Sequence, residues 1–119
     1  MKLKDRVAIV TGAGRNIGEA IAHFYAEEGA KVAVVDLSEE SARQVAAAIH
    51  EAHPDRALPI VADVSRSEDV RRMVDEVVQK WGGVDILVNN VAITDRKTIL
   101  DLDEDEWDRV LQVTLKSVF

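Results

Sequence analysis

The chain has 119 residues, 47% of them hydrophobic and 31% charged, with a net charge of −7 and no cysteine. Length and composition point to one soluble globular domain with a single core. An acidic balance without a Lys/Arg cluster argues against a nucleic-acid surface. The lack of cysteine excludes a disulfide framework and a thiolate metal site, and fits a reducing compartment. The apolar run near the N-terminus is short and breaks at a glycine turn, unlike a secretory signal. No stretch approaches the about 18 apolar residues of a membrane span. The expectation is a cytoplasmic protein with neither a membrane nor a nucleic acid as partner.

Along the chain, short apolar runs alternate with helical periodicity. Val7–Val10 ends at Thr11-Gly12, Val32–Val35 at Asp36, Pro59–Ala62 at Asp63, and Ile86–Val88 at Asn89-Asn90. Runs apolar at every position predict strands buried on both faces, as in a parallel sheet. Between them, Ile17, Ala20, Ile21, Phe24 and Tyr25 fall on one helical face. Ala42, Val45, Ala46 and Ile49 repeat the pattern, as do Val70, Met73, Val74, Val77 and Trp81. A last set, Trp107, Val110, Leu111 and Val118, runs to the C-terminus. Ser38 caps the second predicted helix. Ser65 with Glu68 forms a capping box for the third, with Ser67 as a rival, and Asp103 with Glu106 caps the fourth. Gly29 and Gly82-Gly83 are the stops. The order β-α-β-α-β-α-β-loop-α predicts a doubly wound α/β sheet.

The first turn, Thr11-Gly12-Ala13-Gly14-Arg15-Asn16-Ile17-Gly18, follows a predicted strand and opens a predicted helix. Free backbone N–H groups and the helix dipole favour an anion at such a place. Glycine permits the sharp turn and the approach of a phosphate, and a glycine one turn into the helix lets helix and strand approach closely. A tight turn without a ligand is the plain alternative. Asp36, at the end of the second strand, is placed to accept from the hydroxyls of an adenosine ribose and to repel a 2′-phosphate. It also reads as a helix-flanking acid. Arg15 either meets a 2′-phosphate, which would favour NADP, or is a solvated side chain at a helix start; the second reading is preferred. Asp63 and Asn89-Asn90 end the remaining strands on the sheet edge where open parallel sheets bind ligands.

Other residues read as ordinary. His23, His50 and His53 lie on helices without partners at metal-ligand spacing, and no metal is expected. The acidic run Asp101–Asp108 reads as a solvated helix start, and Trp81 and Trp107 as core or rim packing.

Together, Thr11-Gly12-x-x-x-x-Ile17-Gly18, Asp36, Asp63-Val64, Asn89-Asn90 and Trp107–Val113 resemble the short-chain dehydrogenase/reductase family, in particular its 3-oxoacyl-carrier-protein reductase and sugar-dehydrogenase branch. The resemblance covers the whole chain. It implies a Rossmann-type sheet, truncated, with residues 1–119 forming one NAD(P)-binding domain that is the N-terminal half of the family's domain. Carried over by position, Thr11 braces the turn, and Gly12, Arg15, Asn16 and Ile17 line the phosphates, with Gly18 completing the motif. Asp36 and Leu37 meet the adenosine ribose. Asp63 and Val64 flank the adenine. Asn90, Val91 and Ala92 run beside the ribose, and Val113 lies near it. NAD is the implied cofactor and NADP the alternative. The complete protein would interconvert a small carbonyl and its alcohol, as a dimer or tetramer.

Several positions depart from the family. Asn16 replaces the second turn glycine, and asparagine tolerates a left-handed backbone better than other side chains. Asn89-Asn90-Val91-Ala92 stands for Asn-Asn-Ala-Gly, adding a methyl at Ala92. Thr114 occupies the position of the helix asparagine, and Ser117 that of a glycine. The family's serine and Tyr-x-x-x-Lys have no counterpart. The single tyrosine, Tyr25, is followed by Glu28 and Gly29. The chain alone is therefore expected to be inactive, and a non-catalytic dinucleotide-binding module is the rival reading. With the fourth strand as a sheet edge and Val118-Phe119 unpartnered, it is also expected to be marginal or to associate.

Overall fold

The computed structural model describes residues 1–92 and 100–119. The loop expected after the fourth strand falls mainly on residues 93–99, outside the described residues. Four strands form one parallel sheet in the order β3-β2-β1-β4: β1 Val7–Thr11, β2 Lys31–Asp36, β3 Ala57–Val61 and β4 Ile86–Val88. Helices α1 Asn16–Glu27, α2 Glu39–Ala52 and α3 Ser67–Trp81 connect them. The register pairs Val7 with Lys31, Ala8 with Ile86 and Val32 with Ala57.

Alternation along the central strands divides the core in two. Val10, Val32 and Val34 point to the face covered by α1 and α2 and meet Ala22, Ala26, Val45 and Ile49. Val7, Ile9, Ala33 and Val35 point to the other face and meet Met73 and Val77 of α3. Helices on both faces make the sheet doubly wound, as predicted. Burial on both faces holds for β1 and the interior of β2 only. On β3 only Ile60 is buried, and β4 has no buried residue. Both stand at the outside of the sheet that the described residues form.

The periodicity of α2 is reproduced residue for residue: Ala42, Val45, Ala46 and Ile49 are its buried positions. That of α1 is rotated. Its buried positions are Gly18, Ala22 and Ala26; of the expected face, Ile21 and Tyr25 pack partly buried against the same core, while Ile17 and Phe24 are 70% and 63% exposed. Small residues let α1 press against the sheet, and this close approach decides the face over bulk hydrophobicity.

Two caps are as expected: Ser38 accepts from the Ser41 N–H and Asp103 from the Glu106 N–H. The capping box at α3 is not formed. Arg66 precedes the helix without a side-chain cap, and Ser65 instead donates its N–H and hydroxyl to Asp63. Gly29 and Gly82 adopt positive φ at the ends of α1 and α3, and Gly83 does not share that role. The last predicted helix is shorter than its pattern. An α-helix, α4, covers Glu104–Val110 and continues as a π-helical turn, Leu111–Leu115, and a short 3-10 turn, Lys116–Val118. Trp107 on it is half exposed, so it is not core, whereas Trp81 packs at the rim of the α3 cluster.

Candidate functional site

β1 lies between β2 and β4, and the chain reverses its direction of travel across the sheet there. Open α/β sheets bind ligands at such a switch point, beyond the carboxyl ends of the strands. Thr11 ties the two strand ends together. Its hydroxyl donates to the Val88 carbonyl (3.1 Å) and accepts from the Asn90 N–H (3.0 Å). The Asn90 amide then donates from Nδ2 to the Gly12 carbonyl (3.3 Å). Thr11 is buried and braces the turn without facing the cleft.

The turn uses its glycines for separate reasons. Gly12 has φ +62°. A Cβ on Gly14 would lie 2.7 Å from both the Asp36 carboxylate and the Ser41 Cβ. A Cβ on Gly18 would collide with the Gly12 carbonyl oxygen, so Gly18 serves the packing of helix on turn. Asn16 takes φ +52°, the left-handed region that its replacement of glycine demands. Arg15 precedes α1 with extended backbone and makes no side-chain cap. The first N–H groups of α1 thus meet no capping side chain, as an anion-binding helix end requires.

Asp36 holds this turn to the next. One oxygen accepts from the Gly14 N–H (2.9 Å) and the other from the Ser38 N–H (2.9 Å). A carboxylate has about four acceptor positions, so each oxygen retains capacity for a further donor. Helix-flanking acid and ligand acceptor are therefore compatible roles. Beyond β3, Ala62 donates to the Asp36 carbonyl (3.2 Å). The Asp63 N–H donates to Asp69 Oδ2 (2.8 Å), which with the nearby charges of Arg72 and Arg66 holds the Asp69 carboxyl below its ordinary pKa.

These segments enclose a cleft of about 620 Å³. It is lined by Gly12, Arg15, Asn16 and Ile17 from the turn, Asp36 and Leu37 from the end of β2, Asp63 and Val64 after β3, Asn90, Val91 and Ala92 after β4, and Val113. All the expected cofactor-binding residues therefore converge there except Thr11 and Gly18, which build the turn from behind. Asn89 is exposed and lies outside the lining. Ser65, Arg109 and Gln112 line the cleft without having been expected. A signal lay in the spacing: Arg109 precedes Gln112 by three residues and Val113 by four, the separations at which side chains share one side of a helix. Thr114 is half-buried in the π-helical turn and does not line the cleft. Among the described residues, no group of three or more His, Cys, Asp or Glu side chains is arranged to hold a metal.

This architecture has close relatives. The profile of the short chain dehydrogenase family matches residues 6–119. The chain belongs to the short-chain dehydrogenase family. Among curated members, it is 37% identical to a 3-oxoacyl-acyl-carrier-protein reductase of Thermotoga maritima, covering 100% of this chain and 48% of that protein. It is 38% identical to a sorbitol dehydrogenase of Cereibacter sphaeroides, covering 97% and 43%. A crystal structure of 3-ketoacyl-acyl-carrier-protein reductase from Brucella melitensis complexed with NADH superimposes with a TM-score of 0.91 at 38% identity, covering 98% of this chain and 46% of that one. A glucose/ribitol-dehydrogenase-type member from the same organism gives 0.94 at 30% identity, covering 100% and 49%. The chain therefore spans about half the length of the relatives it matches. The parallel four-stranded sheet is of the Rossmann type that these relatives share. No helix among the described residues is long and apolar enough to cross a membrane.

Proposed function

We propose that residues 1–119 are the NAD-binding half of an oxidoreductase that interconverts a carbonyl and an alcohol. The observation that carries this is the placement of Asp36. It lies at the end of β2, in the cleft, one hydrogen bond from the phosphate-type turn. The uncapped start of α1 suits the pyrophosphate, with Gly12, Arg15, Asn16 and Ile17 around it. Asp36, with Leu37 beside it, suits the adenosine ribose and disfavours a 2′-phosphate, which makes NAD the cofactor over NADP. Asp63 and Val64 offer a wall for the adenine, and Asn90, Val91, Ala92 and Val113 one for the ribose.

A bound nicotinamide supplies hydride chemistry. The residues of this chain bind and orient. Among the described residues, no tyrosine lines the cleft to move the proton that carbonyl reduction needs, since Tyr25 lies on α1 outside it. The family's serine, tyrosine and lysine would supply that function in the whole protein, whose substrate would be a small carbonyl or alcohol and whose state would be a homo-oligomer. Calorimetric titration with NAD, NADP and ADP-ribose tests the reading. Binding of NAD and ADP-ribose with weaker NADP is expected, and no binding of any of them would refute it.

Thr114, in place of the family's asparagine, favours a second reading as a dinucleotide-binding module without catalysis. The chain itself is expected to reduce no carbonyl with NADH. A measurable turnover would exclude that second reading.

A further inference from the structure

The wall formed by Asp63 and Val64 is held from outside the cleft. Ala62 is the last residue hydrogen-bonded to the sheet at this end, through the Asp36 carbonyl. From Asp63 the backbone leaves the sheet, and its N–H needs an acceptor. Asp69 Oδ2 supplies one at 2.8 Å, reaching back six residues from the first turn of α3. The other oxygen of Asp69 lies 3.7 Å from Arg72 Nη2, and the same nitrogen donates to the Val61 carbonyl at 2.7 Å. One ion pair on α3 thus grips the chain on both sides of Ala62, at the Val61 carbonyl and the Asp63 N–H. On the inner side, Asp63 Oδ1 accepts from the Ser65 N–H (3.0 Å) and hydroxyl (2.6 Å). That fixes the rotamer of Asp63 and leaves Oδ2 without a hydrogen-bond partner among the described residues.

We infer that Asp69, braced by Arg72, is a positioning residue that sets the preference of this site for adenine over bases lacking its 6-amino donor. The inference rests on the dinucleotide reading above. Neither Asp69 nor Arg72 lines the cleft, whereas Asp63, Val64 and Ser65 do. A carboxylate is an acceptor only, so it suits the 6-amino group of adenine and opposes the 6-oxo group of hypoxanthine. That discrimination depends on where the carboxylate sits, and small displacements weaken a hydrogen bond steeply. An acid in the first turn of a helix ordinarily serves the N–H groups of its own helix. Asp69 instead spends an oxygen on Asp63, the residue that faces the cleft.

The test titrates the 119-residue chain and its variants with NADH and with reduced nicotinamide hypoxanthine dinucleotide. The wild type is expected to prefer NADH. Asp69→Ala is expected to bind NADH about tenfold more weakly, with little change for the hypoxanthine dinucleotide, so that the preference collapses. Asp69→Asn retains an acceptor oxygen and is expected to restore it. Should Asp69→Ala fail to fold, Arg72→Met, on an exposed helix surface, carries the same test with a smaller loss of preference. A wild type without preference, or an unchanged preference in the folded variant, overturns the inference alone. A wild type that binds neither dinucleotide overturns the NAD reading and this inference with it.

Discussion

One carboxylate oxygen of Asp36 accepts the backbone N–H of Gly14 at 2.9 Å, so the acid that faces the cleft also holds the glycine turn in place. Its second oxygen holds the Ser38 N–H, next to the start of α2. Arg15 lines the same cleft and makes no ion pair or side-chain hydrogen bond with a described residue. Removing the carboxylate takes away the acid that would repel a 2′-phosphate and leaves Arg15 as a cation in the cleft lining. Asp36→Ala is expected to weaken NADH binding by about tenfold or more and to shift the NADPH-to-NADH preference toward NADPH. Fluorescence titration with both cofactors checks it. Equal loss for both would assign Asp36 to the turn alone.

Gly18 tests the packing of α1 on the turn. An added Cβ would overlap the Gly12 carbonyl oxygen and sit 2.7 Å from Asn90 Nδ2. Both neighbours are fixed, the first by backbone and the second by its hydrogen bond to that same carbonyl. Relief requires α1 to move away from the sheet, where Ala22 and Ala26 are buried. Gly18→Ala is expected to destabilise the fold by about 1–3 kcal/mol and to lower the melting temperature by several degrees. A melting curve superimposable on the wild type would show that the turn is softer than this geometry.

Asn16 stands at φ +52° where the family has glycine. Asparagine bears a left-handed backbone at low cost, and a β-branched side chain does not. Asn16→Gly is expected to be close to neutral, and Asn16→Val to cost about 1–2 kcal/mol. Denaturant midpoints for the pair separate backbone conformation from side-chain contacts. If Gly and Val variants lose equally, the Asn16 side chain, and not its φ, matters.

Much of this was legible in the sequence because the strands end in chemistry. Thr11-Gly12, Asp36, Asp63 and Asn90 fall at carboxyl ends that a parallel sheet aligns, so the cleft followed from their order. The buried face of α1 did not, since Gly18 and Ala22 carry little hydrophobic signal, and only their close approach to the sheet selects them. The half-exposed β3 and β4 were also hidden, because an edge strand and a central one share the same apolar composition. At α3, Ser65 and Glu68 satisfied a capping pattern, but the Asp63 carboxylate competes for Ser65 and wins. Arg109 and Gln112 were missed because their pattern reads as a solvated helix face until the fold brings them to the cleft.

The Asp69–Asp63 hydrogen bond also predicts a pH dependence. The Asp69 carboxyl is held below its ordinary value of 3.8, first by the Asp63 N–H and then, against desolvation, by the charges of Arg72 and Arg66. A carboxylate whose pKa is lower folded than unfolded contributes stability that is fully present above the unfolded value. That contribution is lost as pH falls through the folded one. Asp69→Asn keeps an acceptor for the Asp63 N–H but has no charge to titrate. The difference in melting temperature between wild type and Asp69→Asn is therefore expected to be constant near neutrality and to shrink below about pH 4. Every other carboxylate is common to both proteins, so the difference isolates this one. Melting curves across the acid range check it, and a difference that stays constant down to the lowest pH would mean that Asp69 titrates in the folded chain as it does in the unfolded one.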